Sequence, residues 1–317
     1  MWDNSSLSQG ETARHSMVVD FDYQRGFAMK KKKIAVIGGD RRQVVLAQYL
    51  QKNGADVYTY GLLVKPDSAI TVCDDLRCAL REAAAVVLPL PAFTPELTLK
   101  TDGERKITLT EICDTLDEGT VLLGGMLRQT VREELSKREI SFLDYYEGED
   151  LQRLNAITTA EGALEVAISH SERTIAGSRA LVIGYGRIGK VLARYLAALG
   201  ARVTVAARRE THFEMIRMSG FTPVATGALL GSAAEADLIF NTVPAPVLGE
   251  EELRRIHKNT LIVELASAPY GVDLKAAEEL GKRALLAASL PGKLFPCTAG
   301  ETIGIIILEL LRKRGVL

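Results

Sequence analysis

Residues 180–209, A-L-V-I-G-Y-G-R-I-G-K-V-L-A-R-Y-L-A-A-L-G-A-R-V-T-V-A-A-R-R, decide the fold. Leu181 to Ile183 is a short apolar run suited to a buried parallel strand, and Gly184, Gly186 and Gly189 follow it at G-x-G-x-x-G spacing. Ile188, Val191, Leu192, Tyr195, Leu196 and Leu199 then recur at helical spacing until Gly200 stops the helix, and Arg202 to Ala206 forms the next strand. In such a βαβ unit the glycines have separate roles. The first permits the tight turn, the second clears the approach to a pyrophosphate, and the third lets helix and strand pack closely. The helix start offers free N–H groups and a positive dipole end to that phosphate. A nicotinamide dinucleotide is the expected ligand, with Gly184, Gly186, Arg187, Ile188 and Gly189 at its pyrophosphate.

The second strand ends in Ala207, Arg208 and Arg209 rather than in the acid that usually takes the ribose hydroxyls. Two guanidinium groups there suit a 2′-phosphate, so NADP is expected to be accepted at least as well as NAD. An ordinary solvated Arg-Arg loop is the competing reading.

Working outward, the apolar runs 221–224, 238–243, 261–265 and 284–287 complete a doubly wound sheet over 178–290. Upstream, Ile34 to Ile37, the turn Gly38-Gly39-Asp40, a helix over 44–51 and Val57 to Tyr60 begin a second α/β unit. Asp40 stands where a pyrophosphate would be repelled, so this is not a second dinucleotide turn. Further strands over 86–90, 121–123 and 140–143 make a smaller N-terminal domain over 29–150, Rossmann-like or flavodoxin-like. Thr158 and Glu161 read as a capping box for a connecting helix within 151–177, and Thr298 and Glu301 as another for a final helix. That last segment, 291–317, is expected to return to the first domain and so create a hinged cleft. The chain therefore reads as a two-domain α/β protein.

Composition narrows the classes. The 39 Lys plus Arg nearly cancel the 40 Asp plus Glu, which gives no nucleic-acid footprint. The apolar run 303–311 is interrupted by Gly304 and Glu309 and falls short of the ~20 residues that span a bilayer, so no membrane role is expected. Residues 1–28 are polar, lack the apolar stretch of a signal peptide, and read as a disordered or non-native extension. Cys73, Cys78, Cys113 and Cys297 lack metal-ligand spacing and read as reduced structural thiols; no metal site is expected.

Candidate chemistry lies at strand ends. Asn241, Thr242, Val243 and Pro244 are placed beside the cofactor, with turn formation as the alternative for Asn241 and Thr242. Ser267 follows the next strand and is a candidate partner for a substrate carboxylate or the nicotinamide amide. Asp273 reads as a helix cap. Lys293 with Thr298, Ala299 and Gly300 is a candidate anion site, and Asp40 and Arg42 face the cleft from the other domain, Arg42 as a carboxylate clamp. His15, His170, His212 and His257 all lie away from strand-end loops, so no imidazole acid/base is evident and the catalytic residue stays unassigned.

Several segments together resemble the A chain of dipicolinate synthase from spore-forming bacteria. They are I-A-V-I-G-G-D-R-R-Q at 34–43, T-A-E-G at 159–162, G-Y-G-R-I-G at 184–189, A-R at 207–208, N-T-V-P at 241–244, L-A-S-A-P-Y-G-V-D at 265–273 and L-P-G-K-L-F-P-C-T-A-G at 290–300. The chain departs from that pattern at Tyr270, often glycine in the family, and at Phe295 and Cys297. The resemblance implies NAD(P)-dependent oxidation of dihydro- or hydroxytetrahydrodipicolinate, a small dicarboxylate, to pyridine-2,6-dicarboxylate. It further implies an oligomeric assembly with a flavoprotein-like B subunit in the mother-cell cytoplasm. Two other readings are a 2-hydroxy-acid dehydrogenase, disfavoured by the missing histidine, and a non-catalytic nucleotide-binding partner.

Overall fold

The computed structural model describes residues 32–65, 69–101 and 105–317; the expectation for 1–28, and His15 with it, lies outside them. In the first domain the chain forms β1 (Lys33–Ile37), β2 (Asp56–Tyr60), β3 (Thr71–Val72), β4 (Ala85–Val87), the hairpin β5 (Thr98–Leu99) and β6 (Ile107–Thr108), β7 (Val121–Gly124) and β8 (Phe142–Asp144). Its helices are α1 (Arg41–Lys52), α2 (Leu76–Leu80), α3 (Leu109–Thr115) and α4 (Gln129–Lys137). The second domain carries β9 (Arg179–Ile183), β10 (Arg202–Ala207), β11 (Thr222–Ala225), β12 (Leu238–Asn241), β13 (Leu261–Glu264) and β14 (Arg283–Leu286). Between them lie α6 (Arg187–Ala198), α7 (Thr211–Met218), α8 (Leu230–Glu235), α9 (Glu250–Arg255) and α10 (Leu274–Glu279).

Both sheets are parallel, and both have the same strand order. The first runs β3-β2-β1-β4-β7-β8 and the second β11-β10-β9-β12-β13-β14. That is the Rossmann order, with its reversal between the first and fourth parallel strands, and it settles the first domain as Rossmann-like rather than flavodoxin-like. Strands such as β12 and β13 are buried along their whole length because helices cover both faces, which is why they read as unbroken apolar runs.

The domains are joined twice. Helix α5 (Glu149–His170) puts Leu151 into the first core and Ala160, Ala163 and Ala167 into the second. Helices α11 (Leu290–Leu294) and α12 (Pro296–Lys313) return the chain, and Ile303, Ile307, Leu308 and Leu311 of α12 complete the first core beside Leu46 and Leu50 of α1. The approach is close because Gly300 and Gly304 have no side chains; a Cβ at Gly300 would lie 2.5 Å from the Arg42 carbonyl oxygen and one at Gly304 2.5 Å from Tyr49 Cδ1.

Both expected capping boxes are absent. Helix α5 begins at Glu149, so Thr158 and Glu161 are interior residues, and the Thr158 hydroxyl donates to the Asn155 carbonyl instead. Helix α12 begins with Pro296 at its first position and has no side-chain cap, so Thr298 and Glu301 lie within it. Proline's fixed φ favours that earlier start. The cysteine expectation is also corrected: Cys73 and Cys78, 5 positions apart in sequence and with Cα atoms 5.8 Å apart, form a disulfide, brought together by the Asp75-capped start of α2. Cys113 and Cys297 are free thiols.

Candidate functional site: a dinucleotide turn and an interdomain cleft

The three glycines of the β9–α6 turn differ in what surrounds them. Gly184 has φ +105°, and a Cβ there would meet Thr242 Oγ1 at 2.3 Å. At Gly189 a Cβ would lie 2.0 Å from the Gly184 carbonyl oxygen. Gly186 faces open space, with nothing within 4 Å of the Cβ position. Two glycines thus serve packing within the protein, and the middle one leaves room for something else. Gly186 is the N-cap of α6 and supplies no side-chain cap, so the first N–H groups of this 12-residue helix remain for a ligand. These features fit a dinucleotide pyrophosphate.

The Arg187 side chain turns from that turn toward α5, where it pairs with Glu149 at 2.6 Å. Hydrogen bonds from Arg187 hold the Glu149 carboxyl below its ordinary range. Ile188 is half-buried and lines the cleft. At the end of β10, Arg208 and Arg209 are exposed, and neither side chain has a protein partner among the described residues.

Between the domains lies a cleft of about 340 Å³. Arg42, Met126 and Tyr146 line it from the first domain, Asn155 and Thr159 from α5, and Thr242, Pro244, Ser267 and Ser289 from the second. Arg42 is the one cation of this lining. Its Nε and Nη2 donate to the Asp40 carboxylate at 3.0 and 2.8 Å, and Nη2 also donates to the Leu90 carbonyl at 2.7 Å. Nη1 is engaged by neither. Asp40 caps α1 by accepting from the Arg42 N–H and anchors the Arg42 guanidinium. Burial pulls the Asp40 carboxyl upward, but the hydrogen bonds and charge of Arg42 outweigh it and hold the group below the usual carboxylate range. Burial also raises the Tyr146 phenol, against the lowering effects of Arg187 and of a hydrogen bond with Asn155.

For Asn241 the structure shows the turn-forming role. It is fully buried, and its amide donates to both oxygens of Glu264 at 2.9 and 2.8 Å and to the Val243 carbonyl at 3.0 Å, while its oxygen accepts from the Val243 N–H. Its polar atoms are spent on holding the turn. Glu264, also fully buried, accepts from the N–H groups of Ala266, Gly271 and Val272 at 2.8, 2.9 and 2.8 Å. One carboxylate thus fixes the loop that carries Ser267. The sequence contained a signal for it, since a charge inside the apolar run L-I-V-E-L of a buried strand must find partners. Thr242 donates its hydroxyl to the Ile183 carbonyl at 2.9 Å beneath Gly184, and half-buried Val243 packs nearby. Asp273 does cap α10, accepting from the Ala276 N–H at 2.9 Å.

The anion site expected from Lys293, Thr298, Ala299 and Gly300 is not assembled. Lys293 and Thr298 are exposed and outside the cleft lining, Ala299 is buried in a small recess beside Arg42, and Gly300 is a helix-packing contact. Of the described histidines, His170, His212 and His257, none lines the cleft. Among the described residues there is no metal-binding cluster, and no helix is long and apolar enough to cross a membrane.

A Rossmann sheet with an open glycine turn, facing a second α/β domain across a cleft, defines the class of two-domain nicotinamide-dependent oxidoreductases. Residues 149–290 match the D-isomer specific 2-hydroxyacid dehydrogenase NAD binding domain, and residues 33–146 match the N-terminal domain of the dipicolinate synthase A chain. The chain is 34% identical over 283 residues to the dipicolinate synthase A chain of Bacillus subtilis (strain 168), covering 88% of this chain and 95% of that protein. It belongs to the family of dipicolinate synthase A chains. The crystal structure of the Bacillus halodurans relative superposes with a TM-score of 0.81 at 28% identity, covering 88% of this chain and 97% of that one. The Bacillus subtilis A chain gives 0.79 at 33% identity, over 90% and 97%.

Proposed function

We propose that the chain oxidises dihydrodipicolinate, supplied as such or by loss of water from hydroxytetrahydrodipicolinate, to pyridine-2,6-dicarboxylate, the hydride passing to NADP+ or NAD+ and a proton to solvent, together with a flavoprotein-like B subunit in the cytoplasm of the mother cell. The observation that carries this reading is the lining of the cleft: one guanidinium, a phenol, an amide and several hydroxyls, without imidazole or carboxylate among the lining residues. A 2-hydroxy-acid dehydrogenase needs an imidazole or equivalent acid/base beside the nicotinamide. Oxidation of a dihydropyridine ring draws its driving force from aromatisation and asks mainly for orientation.

The bound nicotinamide supplies a hydride acceptor. The Gly184–Gly189 turn and the start of α6 hold its pyrophosphate, and Arg208 and Arg209 meet the ribose end, where a 2′-phosphate would be favoured. Arg42, steadied by Asp40, offers Nη1 to a substrate carboxylate. The hydroxyl-rich wall orients the ring and excludes water.

The test is turnover of the hydroxytetrahydro precursor, followed by absorbance of reduced nicotinamide and of dipicolinate, with the chain alone and with the B subunit. Calorimetry should show NADPH binding to the chain alone at one equivalent, with turnover weak until the partner is added. Turnover of simple 2-hydroxy acids at the same rate would replace this reading with the dehydrogenase one. NADPH binding without any stimulation of the partner's chemistry would support the non-catalytic reading.

A further inference from the structure

Among the described residues, six non-glycine residues have left-handed backbone: Glu82, Leu97, Met126, Glu139, Tyr270 and Ser289. Glu82, Leu97, Glu139 and Tyr270 lie outside the cleft lining. Met126 and Ser289 both line the cleft, one from each domain. Each follows the carboxyl end of a parallel strand, β7 for Met126 and β14 for Ser289, which is where open α/β sheets place their ligands. Glycine takes such a conformation freely, so a side chain kept there at a cost in strain points to work done by that side chain.

The surroundings of Met126 force its conformation. The Asp144 carboxylate accepts from the N–H groups of Met126 and Leu127 at 3.0 and 2.8 Å, and Arg132 holds that carboxylate at 2.6 Å. The Asp144 side chain is only 3% exposed, whereas Met126 itself is 47% exposed. A buried carboxylate, held by half-buried Arg132, thus presents an apolar thioether to the open cleft. Ser289 is set between buried Ala287 and buried Leu290, and its carbonyl accepts from the Lys293 N–H at 3.1 Å. Its hydroxyl is exposed and has no partner among the described residues.

We propose that Met126 and Ser289 are substrate-gripping residues on opposite walls of the cleft. The Ser289 hydroxyl donates to one carboxylate of a planar ring dicarboxylate, Arg42 takes the other, and the Met126 thioether packs on the ring. This rests on the reading of the cleft as a dicarboxylate site. The chemistry suits the parts: a hydroxyl donor to a carboxylate makes a charge-assisted bond, and thioether sulfur makes favourable contacts with aromatic rings.

Glycine is the discriminating substitution, because it removes the side chain and the strain together. Calorimetry with pyridine-2,6-dicarboxylate on the NADPH-loaded full chain should show Ser289→Gly and Ser289→Ala weakening binding by about tenfold. Met126→Gly should weaken it by roughly threefold. NADPH affinity should hold in all three variants, and Ser289→Gly should melt no lower than the parent chain. If Ser289→Gly melts normally and binds the dicarboxylate as tightly as the parent, the assignment of Ser289 is overturned, and the same result for Met126→Gly overturns the assignment of Met126. Failure of the parent chain itself to bind the dicarboxylate, with NADPH binding intact, sinks the reading of the cleft and the proposal with it.

Discussion

The two domains share one topology and have opposite turns. In the second, the turn after β9 leaves open volume at Gly186 and uncapped N–H groups at the start of α6. In the first, the equivalent turn after β1 is closed by the protein. The Lys100 carbonyl accepts from the Gly39 N–H at 2.5 Å, a Cβ at Gly38 would lie 2.7 Å from the same oxygen, and Asp40 caps α1 with its own carboxylate. A backbone carbonyl and a side-chain carboxylate stand where a phosphate's oxygens would be needed. Strand order alone therefore does not make a nucleotide site; vacant space and free donors at the turn do.

The largest effect should come from the strand-end network of the second domain. Glu264→Ala leaves one Asn241 amide hydrogen and the N–H groups of Ala266, Gly271 and Val272 without their acceptor, and should cost about 3–5 kcal/mol of stability in urea unfolding. A loss under about 1 kcal/mol would mean that water replaces the carboxylate and that the loop is not held by it.

Glycine substitutions sharpen the comparison of the two turns. Gly189→Ala drives a Cβ into the Gly184 carbonyl and should cost about 2–3 kcal/mol along with NADPH binding. Gly186→Ala meets no protein atom, so it should melt with the parent chain yet bind NADPH about tenfold more weakly. Gly39→Ala, at φ +116° and with a Cβ position 2.2 Å from Gln43 Cγ, should lower stability by about 2 kcal/mol and leave cofactor affinity alone. Weaker NADPH binding by Gly39→Ala would break the comparison by showing that the first turn takes part.

Cofactor choice should respond more modestly. Arg208→Glu should reduce NADPH affinity by about tenfold or more relative to NADH, read as the ratio of dissociation constants. Equal losses for both cofactors would place Arg208 outside the ribose site.

The smallest effect concerns Asp40, whose pKa is depressed in the folded chain. Such a group stabilises the fold at pH values above its unfolded pKa, and that contribution disappears as pH falls through the folded one. Asp40→Asn should therefore cost about 1 kcal/mol at pH 7, with the difference from the parent chain closing in acid. A difference independent of pH would assign the loss to the α1 cap rather than to the ion pair with Arg42.

Local signals set much of this protein from sequence alone. The second domain's βαβ unit was legible because buried parallel strands, helical periodicity and glycine spacing are properties of short segments, and Asp273 could be read as a cap because capping spans three residues. The tertiary structure decided what depended on neighbours distant in the chain. Asn241 looked like a cofactor ligand until the pairing of β12 with β13 set it against Glu264, 23 residues on, and Asp40 and Arg42 proved to serve one another before any ligand. Thr158 and Thr298 carried good capping patterns, but longer helices with apolar faces to bury absorbed them, and the anion site built on Thr298 went with its cap. Met126 and Ser289 left no mark in the sequence, because a left-handed backbone at a non-glycine residue is imposed by the surroundings and not by the residue itself.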